Sequence, residues 1–110
     1  MAERFDSDDE GGVVTKTRPK TTPKLAKPKL YKVLVHNDNY TTREFVVEIL
    51  VGVFHHSESD AVAIMMHVHQ NGVGVAGVFT HEVAETKIAQ VHNLARQYEF
   101  PLRLTMEPED

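Results

Sequence analysis

A break in composition near residue 29 constrains this chain more than any other feature. Up to that point the sequence holds three prolines, Pro19, Pro23 and Pro28, with seven basic and five acidic residues and few large apolar side chains. Such a stretch cannot bury enough surface to offset the entropy of ordering its backbone. Residues 1–28 are therefore expected to form a disordered arm. Its start, Glu3 to Glu10, is acidic; the stretch from Lys16 to Lys29 is basic. The basic stretch suits an anionic surface, and a solvated flexible tail accounts for the composition equally well. The fold must come from residues 29–110, a one-domain length.

Hydrophobic residues make up 41% of the 110, enough for a compact core. There is no cysteine, so disulfides, thiol nucleophiles and cysteine-based zinc sites are excluded. That composition fits a reducing cytosol, and a cytoplasmic location is expected. The N-terminus lacks the apolar run of a signal peptide. No stretch reaches the roughly 20 apolar residues of a membrane helix. The net charge of −4 divides unevenly: +2 over residues 1–29 and −6 over residues 30–110, which hold five basic and eleven acidic residues. An acidic folded part argues against nucleic acid as a partner.

From Leu30 the pattern changes. Leu30 to Val35 is apolar and β-branched, a strand. His36-Asn-Asp-Asn-Tyr40 is turn chemistry. Thr41-Thr-Arg-Glu44 reads as a capping box, with Thr41 as N-cap and Glu44 reaching back. The helix behind it places Phe45, Val46, Ile49, Leu50 and Val53 on one face. Ser57 caps a second helix to about Gln70, with Ala61, Ile64, Met65 and Val68 inward. Asn71-Gly72 stops it. Val73 to Phe79 reads as a strand. Thr80 caps a third helix bearing Val83, Ala84, Ile88, Val91, Leu94, Ala95 and Tyr98 inward. Pro101 ends it, and Leu102 to Met106 alternates as a last strand. The order β-α-α-β-α-β predicts a two-layer α+β domain: a three-stranded antiparallel sheet covered on one face by three helices.

Most candidate chemistry falls away on inspection. Gly72-Val-Gly-Val-Ala-Gly77 matches G-x-G-x-x-G, but a helix precedes it and a strand carries it, the reverse of a dinucleotide fold. These glycines read as a helix stop and a thin strand against a close neighbour. His67 and His69, two apart on a helix, point away from each other. H-E-x-x-H is absent, and His55-His56 has no nearby carboxylate pattern, so no metal is expected. No serine sits in G-x-S-x-G. No cofactor loop and no enzyme are expected. The informative stretch is Asn37-Asp38-Asn39, which ordinary turn chemistry explains by itself. A carboxylate, an amide carbonyl and the His69 imidazole, if joined, are what a protonated α-amino group needs, since it has three N–H donors and one positive charge. Spacing alone does not bring His69 to that loop.

The residues also resemble a known family, the ClpS adaptors of ATP-dependent Clp proteases. The likeness lies in Tyr31 to Thr41, Glu44-Phe-Val46, Met65 to His69, Gly77-Val-Phe-Thr80 and Glu82-Val-Ala-Glu-Thr-Lys87. The resemblance implies an adaptor that binds the free N-terminus of substrates beginning with Leu, Phe, Tyr or Trp and delivers them to a Clp AAA+ protease. By the same resemblance, Asn37, Asp38 and His69 would hold the α-amino group. Val35, Thr41, Arg43, Val46, Met65, Val68 and Leu102 would line or border a pocket for the first side chain. Glu82, Glu85 and Lys87 would meet the N-terminal domain of the ATPase, which would also engage the arm. Three positions depart from the family's usual pattern: Asn39 replaces a second Asp, Arg43 a gating Met, and Thr42 a Pro. His36 adds a further difference beside the loop. The chief rival is a general protein-interaction module without an amine site, since fold does not fix function. An enzyme with His69 as base, oriented by Asp38, stands third and lacks a nucleophile.

Overall fold

Each element follows from a local signal, and the computed structural model describes residues 27–110. The expected arm, residues 1–28, lies outside the described residues except for its last two. Strand β1 (Leu30–His36) buries Val33 and Val35 completely and leaves alternate residues on the other face. Helix α1 (Arg43–Gly52) and helix α2 (Glu58–Asn71) follow, then strand β2 (Val73–Thr80), helix α3 (His81–Gln97) and strand β3 (Arg103–Pro108). The sheet order is β2-β1-β3, and both pairings are antiparallel. The architecture is thus a two-layer α+β domain in the order β-α-α-β-α-β. Phe45, Ile49 and Leu50 of α1, Ala61 and Val68 of α2, and Ala84, Val91 and Ala95 of α3 share one core with Val33, Val35, Ala76 and Leu104 of the sheet.

Several caps fall where the sequence places them. The Ser57 hydroxyl accepts from Asp60 N–H at 3.2 Å. Gly72 closes α2 with φ +90°, a conformation that costs glycine little. Gly74 is required by close approach: a Cβ there would lie 2.7 Å from Val68 Cγ2. Between Val33 and Leu34 the β1–β2 register shifts, leaving Ala76 as an extra residue in β2. His56 Nε2 donates to the carbonyl of Ala76, so the loop between α1 and α2 is tied to this bulge.

Other positions correct the sequence reading. The N-cap of α1 is Thr42, not Thr41: its hydroxyl accepts from Phe45 N–H at 3.1 Å. Thr41 is unavailable because its hydroxyl and N–H both go to Asp38. Helix α3 stops at Gln97, four residues before Pro101. Phe100 N–H reaches back to Ala95 O at 2.8 Å, and Glu99 takes φ +61°, a left-handed close without glycine. Val83 and Tyr98 are exposed rather than inward. Val83 sits one residue off the Ala84–Ile88–Val91–Ala95 stripe. Tyr98 lies at the helix end, stacking on Phe100 and meeting the edge of Phe45. The imidazole of His92, on α3, accepts from Leu104 N–H at 3.1 Å and joins helix to β3. Burial, aided by Arg96, holds the His92 pKa below its ordinary value.

Candidate functional site

The β1–β2 register answers how a loop residue meets one thirty positions later. His36 pairs with Val73, so the chain on either side of that pair must run together. Asn37 N–H then donates to Gly72 O at 2.9 Å. Gly72 is the cap of α2, and His69 lies within the last turn before it. The loop after β1 is therefore fastened to the end of α2 by a backbone hydrogen bond that no side-chain pattern announces.

Around this junction lies an open cavity of about 230 Å³. The loop contributes Asn37, Asp38, Asn39 and Thr41; α1 contributes Arg43 and Val46; α2 contributes Met65 and His69. A recess of about 10 Å³ adjoins it and shares Asn37, Asp38, Thr41 and Val46, with Val68 and Leu102 as further walls. That is about the space of one water. The structure thus gathers Asn37, Asp38, His69, Thr41, Arg43, Val46 and Met65 about one hollow, with Val68 and Leu102 beside its deep end. Val35 lines neither space: it is fully buried in the core. Its position in β1 points it at the helices, one residue before the chain turns out toward the cavity.

Asp38 organises the loop. One carboxylate oxygen accepts from Tyr40 N–H at 2.8 Å and Thr41 N–H at 2.7 Å; the other accepts from the Thr41 hydroxyl at 2.7 Å. Burial alone would raise its pKa, but these three bonds outweigh burial and hold the carboxyl below the usual range. The ionised form is favoured, and a carboxylate has about four acceptor sites, so these three bonds leave one unused. His69 is exposed, and Arg43 Nη2 lies 2.9 Å from its Nε2. His36 also borders the recess, and its Nε2 lies 2.8 Å from the Thr105 hydroxyl. Among the described residues no three of His, Asp and Glu gather to hold a metal ion. Nor is any described helix long and apolar enough to cross a membrane.

Glu82, Glu85 and Lys87 all belong to α3 and are not among the residues that line the hollow or its recess. The two glutamates are exposed. Lys87 is half-buried: its ammonium donates to Val53 O at 2.7 Å and lies 5.4 Å and 5.9 Å from the Phe79 and Phe54 ring centres. Sequence reasoning did not find this bond or the Arg43–His69 contact. Each spans more than twenty residues, and one sequence holds no signal for either.

Comparison with known proteins gives a consistent result. The family model described as "ATP-dependent Clp protease adaptor protein ClpS" matches residues 26–105. The ClpS adapter protein of Myxococcus xanthus is 61% identical over 110 residues, covering 100% of this chain and 99% of that one. The ClpS of Maricaulis maris is 56% identical, covering 99% of this chain and 100% of its own. Among solved structures, Agrobacterium tumefaciens ClpS2 bound to L-phenylalaninamide superposes with a TM-score of 0.73 at 44% identity, over 76% of this chain and 100% of that one.

Proposed function

Since the chain belongs to the ClpS family of adaptors for the ATP-dependent Clp protease, we propose that it grips the free N-terminus of proteins whose first residue is Leu, Phe, Tyr or Trp and hands them to the N-terminal domain of a Clp AAA+ ATPase. The observation that carries this reading is the convergence of Asn37, Asp38 and His69 on a hollow walled by Val46 and Met65. A chain start presents two things there: an ammonium group with three donors and a side chain that leaves water. Asp38 supplies charge; the Asn37 amide oxygen and an imidazole nitrogen of His69 supply further acceptors. The ligand of the Agrobacterium neighbour, L-phenylalaninamide, has both a free amine and an apolar ring.

Energetics make the two halves interdependent. Hydrogen bonds to a charged group contribute about 1.5–3 kcal/mol each. Burying a large apolar side chain contributes roughly 1.5–3 kcal/mol. An internal Leu lacks the amine, and a charged first side chain must be stripped of water. The exposed Glu82 and Glu85 of α3, with Lys87, form the proposed contact with the ATPase. The test is a pair of peptides beginning with Leu, identical but for acetylation of the α-amine. Acetylation should abolish binding. Equal affinity for both would reduce the chain to a general interaction module.

A further inference from the structure

Arg43 opposes its surroundings twice. It is the first residue of α1, where the helix dipole disfavours a cation. It also stands in a hollow that, on the reading above, exists to receive a cation. Its guanidinium lies 2.9 Å from His69 Nε2. A guanidinium has only donors, so Nε2 must accept and the ring proton must sit on Nδ1. A neutral imidazole has one acceptor nitrogen. In the free protein that single lone pair is already taken.

We propose that Arg43 is an internal competitor for the amine site: it holds the His69 lone pair as the incoming ammonium would, and substrates that offer the displaced guanidinium a carboxylate are favoured. This rests on the amine-binding reading of the hollow. An ammonium is also purely a donor, so Arg43 and the substrate compete for the same acceptor. Both Arg43 and His69 are exposed, so the exchange takes place at the mouth and needs no opening of the core. Once displaced, the guanidinium stays at the mouth of the hollow, which exposed Arg43 lines. Its flat fork of donors fits a carboxylate in two-point contact. An acidic second residue is therefore the preferred neighbour of a large apolar first residue.

The test uses the full chain and its Arg43→Met variant, with labelled peptides beginning Leu-Ala, Leu-Glu and acetyl-Leu-Ala. Apparent affinity falls in proportion to the fraction of sites that are not competent. The variant should bind Leu-Ala about three- to tenfold tighter, which corresponds to Arg43 holding the lone pair from about two-thirds to nine-tenths of the time. The native chain should prefer Leu-Glu to Leu-Ala, and the variant should lose that preference. The ¹⁵N shifts of the His69 ring should report a single tautomer with the proton on Nδ1 in the native chain and a mixture of both tautomers in the variant, a change that mere repacking of the mouth does not produce. Equal affinity of the two proteins for Leu-Ala, or indifference of the native chain to Glu in second place, overturns the inference while loss of binding on acetylation leaves the amine site standing. Undiminished binding of the acetylated peptide overturns both.

Discussion

Asp38 shapes the turn and, on the proposed function, binds the amine, and the two tasks fall largely on different oxygens. One oxygen carries the two backbone N–H bonds that shape the turn, while the other, bonded to the Thr41 hydroxyl, keeps acceptor capacity for a ligand. Turn chemistry and amine binding are thus compatible in one side chain. Asp38→Asn separates them, because an amide carbonyl can still accept from Tyr40 and Thr41 but carries no charge. That variant should stay folded and bind a Leu-initiated peptide roughly tenfold or more weaker, from loss of about 1.5–3 kcal/mol of charge-assisted bonding. Undiminished binding by fluorescence anisotropy would remove the carboxylate from the site. The pH dependence follows from the lowered pKa. A carboxyl whose folded pKa lies below its unfolded value of 3.8 contributes stability that is fully present above 3.8. That contribution is lost as pH falls through the folded pKa. Across the neutral range the charge at Asp38 is constant, and pH effects on binding there must come from other groups.

The elements were legible where a signal was local. Ser57, Thr80, Gly72 and the alternation of β1 are read from neighbours within four residues, which is the range of caps and pleats. The N-cap of α1 falls on Thr42 rather than Thr41 because Asp38, three residues before Thr41, takes the Thr41 N–H and hydroxyl. The candidate site was less legible, because His69 reaches the loop only through the Asn37–Gly72 bond and the β1–β2 register. Both are properties of the folded sheet. Lys87 shows the same limit from the opposite direction. Its bond to Val53 O satisfies a carbonyl at the C-terminal end of α1, where a cation is favourable, and its ammonium faces two aromatic rings. A residue expected to meet a partner therefore also fastens α1 to α3. Lys87→Ala should cost about 1 kcal/mol in urea unfolding, whereas Glu85→Ala, on an exposed position, should stay within about 0.5 kcal/mol of the native chain. If both variants weaken ATPase binding but only Lys87→Ala lowers stability, the two roles of Lys87 are resolved. Equal stability of the two would remove the structural one.

On the scale of the whole molecule, the division of labour follows the division of charge. Among the described residues, those that wall the hollow or its recess lie between His36 and Leu102, inside the part with a balance of −6. The basic stretch from Lys16 to Lys29 lies before β1. The loop that carries Asn37 and Asp38 is held by the β1–β2 ladder and by Asp38 itself, so the site is expected to form without the arm. Handing a substrate to a partner is a different task. On the proposed function the partner engages a segment while the domain keeps hold of its cargo, and a stretch with few large apolar residues is suited to that. Deleting residues 1–25 should therefore leave the affinity for a Leu-initiated peptide unchanged within about twofold, a difference of less than 0.5 kcal/mol. The same deletion should stop degradation of that substrate by the ATPase and its protease. The two readouts must part company. Degradation at the native rate by the truncated chain would show that the domain alone delivers, and weakened peptide binding would show that the arm helps to build the hollow.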